Sequence, residues 1–387
     1  MNKNSILLHV CLTLIIVFSI TLESIAAPKE QPQKAIQSIK YPAPSRWAAV
    51  LQAAKGEGAL VVYSTANPAT KQALTKAMKD KYGIAVDFIV SRGEEQVQRI
   101  KTEYQAGIYQ GDVLLTGGAT LQLNLKPTGT MAVLDSTLIL PEVADPALWR
   151  GRRLPFLDKE HQIIGFVNKS GSHVAVNLDA LKPEDIKSYH DLVDPKWKGK
   201  IIVDDPTVTG SGDAFALLTM ALFGTEKGKE YLQQISKQDL VVLRDKRLVV
   251  EWLARNKYPI AIGPDTQTFS EFRAKGAPIA YLKLSEGRNS SASGGCLALL
   301  KRAPHPNASL VFINWLLSRE GQAIFQKAFG APSARLDVDL SNIDPAFIPQ
   351  EGEKLIPDSE CLWGPDSAGR REIIKQIFKP LLTGVSP

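Results

Sequence analysis

Between Ala59 and Gly118 the chain alternates strand-like and helix-like stretches, with joins so short that consecutive elements must be neighbours in space. "ALVVYS" (59–64) is an apolar run of strand length. Asn67 then offers an N-cap, and Pro68 suits the first helical position. Leu74, Ala77, Met78 and Tyr82 follow at helical spacing, and Gly83 supplies a C′ stop. "IAVDFIV" (84–90), "SRGEEQVQRIKTEYQAG" closed by Gly107, and "DVLLTGG" (112–118) repeat the cycle. The order predicts an α/β fold built on a parallel sheet.

A second region has the same style. "QIIGFVNKSGSHVAVNL" (162–178) reads as paired strands, "KIIVDDP" as a strand, and "DAFALLTMALFG" as a helix too apolar to face water. Further strands are "LVVLRD", "PIAIG", "PIAYLKLSEG" and "GGCLALLKR", with helices "KRLVVEWLARNKY" and "FSEFRAKG" between them. "NASLVFINWLLSREGQAIFQKAF" (307–329) reads as one long helix. Residues 340–387 carry several prolines and a basic amphipathic helix, "AGRREIIKQIFKPLL", expected to pack on the outside.

The N-terminus sets the compartment. Lys3, an apolar run from Ile6 to Ile20, and small residues at Ser24 and Ala26 form the pattern of a secretory signal peptide cut after Ala26. The expected location is the periplasm, followed by a loose Pro-rich leader over 27–46. The expected domains are a first lobe of 47–155 plus 285–339, a second lobe of 156–284, and an extension of 340–387. Beyond the signal, Cys296 and Cys361 remain, and an oxidising compartment leaves a disulfide between them open beside two buried thiols.

Several function classes fall away. Lys and Arg exceed Asp and Glu by 46 − 40, a net charge of +6 spread along 387 residues, without the basic blocks that mark a nucleic-acid surface. His161, His173, His190 and His305 lie apart and give no zinc pair. There is no G-x-S-x-G elbow, no phosphate-binding P-loop and no G-x-G-x-x-G. The sequence points away from catalysis and names no cofactor.

What recurs is a handover from strand to loop to helix, rich in small polar groups: Ser64-Thr65-Ala66-Asn67, Ser91-Arg92-Gly93-Glu94, Thr116-Gly117-Gly118-Ala119-Thr120, Thr209-Gly210-Ser211-Gly212 and Pro264-Asp265-Thr266-Gln267. Each alone has a plain reading as turn and cap residues. Together they sit where open α/β sheets bind ligands, at the carboxyl ends of strands. Helix starts there present unpaired N–H groups and a positive partial charge to an anion. Arg92 is the guanidinium in these loops, open to gripping a carboxylate or phosphate or to a surface pair with Glu94 or Glu95.

The stretch "GEGALVVYSTANPATKQALTKAMKDKYGIAVDFIVSRGEEQVQRI" resembles the start of mature solute-binding proteins of the ferric-ion-type ABC importer group. "GDVLLTGGAT", "WKGKIIVDDPTVTGSGDAF" and "ALLKRAPHPNASLVFINWLLSREGQAIFQ" resemble later segments of the same pattern, over residues 55–335. The resemblance implies a type II periplasmic-binding-protein fold, with two α/β lobes, crossover strands and a ligand cleft that closes like a hinge. It implies a monomer that hands a small molecule to a membrane ABC permease. Many ferric-ion binders of this group hold the metal with two adjacent tyrosines, where this chain reads "GPDTQTFSEF". Ferric ion needs anionic oxygen ligands, and Asp205 and Asp265 are the carboxylates on offer. The expected cargo is therefore a small carboxylate or phosphorylated anion, with ferric ion as the alternative. The expected contacts are Ser64, Thr65, Arg92, Gly93, Thr116, Gly117, Gly118, Thr209, Gly210, Ser211, Gly212, Asp265 and Gln267.

Overall fold

The computed structural model describes residues 43–292, 294–350, 352–364 and 366–384. The signal-peptide reading and most of the leader lie outside them. The leader's expected end at residue 46 moves forward, because helix α1 already spans Ala43–Glu57.

The first lobe opens β1 (Ala59–Ser64), α2 (Pro68–Tyr82), β2 (Ala85–Val90), α3 (Gly93–Gln105) and β3 (Val113–Thr116). The punctuation acts as the sequence implies. Asn67 Oδ1 accepts from Thr70 N at 2.8 Å, and Gly83, at φ 73°, donates to the Lys79 carbonyl at 3.0 Å. A one-turn α4 (Pro141–Ala144) and β4 (Ile164–Gly165) follow. β5 (Lys169–Gly171) leads out of this lobe into β6 (Val174–Asn177) of the second. The second lobe continues with β7 (Ile201–Asp204), α5 (Ser211–Phe223), α6 (Thr225–Ile235), β8 (Val241–Leu243) and α7 (Lys246–Ala254). Then come β9 (Ile260–Ile262), α8 (Thr266–Ala274) and β10 (Ile279–Tyr281). β11 (Arg288–Ser291) leads back to β12 (Cys296–Leu299), α9 (Pro306–Leu317) and α10 (Arg319–Phe329). β13 (Leu355–Pro357), α11 (Asp358–Cys361) and α12 (Ser367–Phe378) complete the chain as described.

Two five-stranded sheets result. In the first, ordered β2-β1-β3-β12-β4, β1 runs parallel to β2 and β3, while β12 is antiparallel to β3 and β4. In the second, ordered β10-β6-β9-β7-β8, β7 is parallel to β8 and β9. β4 belongs to the first sheet, so the first lobe runs past the expected boundary at 155. Both crossings between lobes, β5 and β11, pair antiparallel in a third sheet, ordered β13-β11-β5. This is the two-lobed α/β architecture that the resemblance implied, with its crossover strands.

Two further expectations change. The stretch 307–329 is two helices, because Ser318 takes an extended conformation (ψ 164°) and its side chain accepts from Gly321 N as a new N-cap. The segment past 340 is not a surface attachment. Ile356, Cys361, Leu362, Ile374 and Phe378 are buried in the core of the second lobe with Phe215, Leu218 and Tyr231. β13 pairs parallel with β11, placing Ile356 opposite Asn289.

An ion pair fastens α12 to α5. Arg371 Nε and Nη2 donate to Asp213 Oδ2 at 3.1 and 2.9 Å. Burial still pushes the Asp213 carboxyl up from 3.8 to about 6, against the pull of Arg371. Its folded pKa exceeds its unfolded one, so the native state holds the proton longer. Its contribution to stability therefore declines as pH climbs from about 4 to about 6. Arg371→Ala would strand this carboxylate at an expected cost of about 2–3 kcal/mol, less than for a fully buried pair because Arg371 keeps contact with water. Urea unfolding at pH 7 reads this as a lowered midpoint, and Asp213→Asn in the same chain should recover most of it. An unchanged midpoint would mean that the pair does not hold α12.

Candidate functional site

The five handover loops meet around one cavity of about 120 Å³ between the lobes. From the first lobe come Thr65 after β1, Gly93 at the start of α3, and Thr116, Gly117 and Gly118 after β3. From the second come Thr209, Gly210 and Ser211 at the start of α5, and Asp265 and Gln267 at the start of α8. Ser64, Arg92 and Gly212 stand outside the cavity wall, each for a separate reason.

Ser64 is fully buried, and its Oγ accepts from the Ala66 amide at 2.9 Å, shaping the turn. Gly212 is needed for close packing. A Cβ there would lie 1.9 Å from the Asp204 carbonyl oxygen, and its amide donates to Asp204 Oδ2 at 3.2 Å. The glycine-rich turn after β7 thus already seats one anion of the protein's own, the Asp204 carboxylate.

Arg92 spends its guanidinium across the lobes. Nη2 reaches Asp204 Oδ1 at 3.4 Å and also donates to the Arg244 carbonyl. Two other bonds span the same gap: Thr209 N to Glu94 Oε1 at 3.2 Å, and Asn67 N to Gln267 Oε1 at 2.7 Å. Gln267 thus uses its carbonyl oxygen to tie the lobes. Asp265 uses one oxygen as the cap of α8, accepting from the Thr268 amide and hydroxyl at 2.9 Å each.

The sequence reading missed a second set. Lys246 lines the cavity at the first position of α7, just after the cap Asp245. Its loop, "LRDK" after β8, is another join from strand to helix, but it lacks the small polar residues that marked the other five. Among the described residues no carboxylate oxygen lies within 4 Å of the Lys246 ammonium, although its charge acts on buried Asp204. Thr120, Thr266 and Ser291 add hydroxyls to the wall. His173, in a left-handed conformation (φ 61°) between the crossover and β6, also faces the cavity. Burial and neighbouring Lys169 pull its pKa down to about 3, so the ring is neutral at pH 7. Asp358 reaches the wall from beyond residue 350, where no motif announced it.

Charge of both signs gathers here. Burial pushes Asp204 up, while Lys246 and Arg92 pull it back. Burial lowers Lys169 to about 8, against Asp265 and Asp358, and its Nζ donates to the Thr266 hydroxyl. Two polar atoms at the cavity wall have no partner: Oγ1 of fully buried Thr116, and Nε2 of His173. Buried polar groups are ordinarily satisfied, so these two atoms stand out in the residues around the cavity. Among the described residues no three His, Cys, Asp or Glu side chains converge as a cation cage. Cys296 and Cys361 are both buried and are not joined to each other, so the disulfide left open by the sequence is not formed.

Residues 72–349 match the family of bacterial extracellular solute-binding proteins, and the chain belongs to that family. "Iron uptake protein A1" of Synechocystis sp. is 23% identical over 273 residues, covering 68% of this chain and 72% of that one. Among solved structures, the periplasmic binding protein AfuA of Actinobacillus pleuropneumoniae, with fructose-6-phosphate bound, superposes with a TM-score of 0.64. It is 22% identical, over 83% of this chain and 98% of AfuA. Iron-bound HitA of Pseudomonas aeruginosa gives a TM-score of 0.63 at 20% identity, over 82% of this chain and 99% of HitA.

Two variants separate structural from cleft roles. Gly212→Ala drives a methyl group into backbone that cannot yield, with an expected loss of about 3 kcal/mol or more. Urea unfolding measures it, and a loss under about 1 kcal/mol would show that the β7–α5 turn can relax. Arg92→Ala removes a tie between lobes without touching the cavity wall. The expected result is a larger radius of gyration of the ligand-free protein in small-angle scattering. An unchanged radius would show that Arg92 does not hold the lobes together.

Proposed function

We propose that this protein captures a small anionic solute, a carboxylate or a phosphorylated compound, in the periplasm and presents it to an ABC permease. The observation that carries the reading is the convergence of four helix starts, those of α3, α5, α7 and α8, on one cavity beside the ammonium of Lys246. Helix starts bring N–H donors and positive partial charge, and their sum favours an anion. Hydroxyls from Thr65, Thr116 and Thr120 add neutral donors that adapt to carboxylate or phosphate oxygens. The cavity, at about 120 Å³, suits a compact solute. The fructose-6-phosphate bound to AfuA supports the phosphorylated branch.

Iron uptake protein A1 and iron-bound HitA keep ferric ion as the second reading for the cargo. The wall speaks against it, since Thr266 and Gln267 stand in the stretch where the tyrosine pair was sought.

The test is a thermal-shift and calorimetry panel on protein refolded to strip any carried solute. It contains small carboxylates, phosphate esters, inorganic phosphate, and ferric iron with and without citrate. A solute at a hundred times its dissociation constant stabilises the fold by about 2.7 kcal/mol. The expected outcome is a shift with an anion in the absence of iron, weakened about tenfold or more by Lys246→Ala through loss of a charge-assisted bond. A shift that appears only with iron would replace the anion with ferric ion as cargo.

A further inference from the structure

Asp358 lies outside the family match, which ends at residue 349, yet its side chain forms part of the cavity wall. β13 brings it there by pairing with β11, and α11 begins at Asp358 itself. Leu362, one helical turn on, lines the cavity too. Trp363 presses on the glycine loop after β3, so that a Cβ on Gly118 would lie 3.1 Å from Cη2 of its ring. Ile356, Cys361 and Leu362 of this segment share the second lobe's core with Phe215 of α5 and with Ile374 and Phe378 of α12.

The Asp358 carboxylate is 6% exposed and partly satisfied. Asn289 Nδ2 donates to Oδ1 at 3.0 Å, Ser291 Oγ to Oδ2 at 2.6 Å, and the Ala292 amide also donates to the carboxylate. An ionised carboxylate accepts about four hydrogen bonds, so acceptor capacity remains at the wall. Lys169 is the nearby cation and already opposes the charges of Asp265 and Asp358. A second ammonium is not called for, whereas a neutral hydroxyl is. The cationic group of Lys246 and the starts of α3 and α5 make up other parts of the same wall.

We infer that Asp358 is a specificity-determining residue that accepts hydrogen bonds from hydroxyl groups of the solute, making the cargo a hydroxylated anion. This rests on the anion reading above and narrows it. The neutral His173 ring and the unpartnered Thr116 hydroxyl lie in the same wall and suit a polyol rather than an alkyl chain. On this reading the helix starts and Lys246 seat the anion, and Asp358 reads the rest of the molecule.

Calorimetry on the refolded chain with three probes tests this: inorganic phosphate, sn-glycerol 3-phosphate and propyl phosphate. The last two differ by two hydroxyls. Wild-type protein should bind glycerol phosphate about tenfold or more tighter than propyl phosphate, the worth of a hydrogen bond to a charged acceptor. Asp358→Asn keeps bonds to Asn289 and Ser291, but it turns the remaining position from acceptor into donor. The preference should fall to within about twofold in this variant, with inorganic phosphate bound as before. Leu362→Trp fills the space beside Asp358 and should do the same, which covers the case in which Asp358→Asn does not fold. A preference that survives in the folded variants, or equal wild-type binding of the two esters, overturns the role of Asp358 and leaves the anion reading intact. No binding of any of the three probes, together with none of any carboxylate or other phosphate ester in the panel, overturns both.

Discussion

A buried carboxylate at the end of β7 governs how the two lobes meet. Asp204 is 1% exposed, and an unpaired charge so far from water would be prohibitively costly. Its partners come from three directions. The start of α5 gives the Gly212 amide, the first lobe gives Arg92, and Lys246 approaches from α7. The electrostatics of one side chain therefore couple the packing of a turn, the contact between lobes and the cationic wall of the cavity. Its neighbour Asp205 is held the same way, by Arg244 Nε at 2.9 Å and by the amide and hydroxyl of Thr207.

The alternation of elements was legible because each join carries its own local chemistry. Asn67, Gly83 and Asp265 act through bonds within four residues, and a sequence displays those directly. The break at Ser318 was equally local, but an unbroken apolar stripe masked it. The cavity loops were found because small polar residues cluster at strand ends. What each residue does there was not legible. Arg92 and Gly212 both reach Asp204, and no spacing rule relates positions 92 and 204. Lys246 was passed over because one lysine among many carries no pattern. Asp358 depends on β13 pairing with β11, a contact across more than sixty positions of sequence.

The site is a division of labour between backbone and side chains. Under the proposed anion reading, backbone amides and hydroxyls from both lobes follow any compact anion, since such donors are not particular about what the anion is attached to. Selectivity has to come from groups that hold one geometry and lose energy when left unpaired. Thr116 Oγ1 and His173 Nε2 are buried atoms without a hydrogen-bond partner, the condition such a role requires. Neither was found by looking for charge, because their significance lies in the partners they lack.

The parallel pairing of β13 with β11 also bears on how the molecule is made. Every strand of the two large sheets is present once Leu299 has been synthesised, and both lobes can begin to form their cores. The crossover sheet and the second lobe's core stay incomplete until residues 355–378 arrive. A chain cut after α10 would hold most of its secondary structure but lack part of the cavity wall. Closure of the cavity wall is therefore a late event in biogenesis, waiting on Asp358 and Leu362 after both large sheets have all their strands.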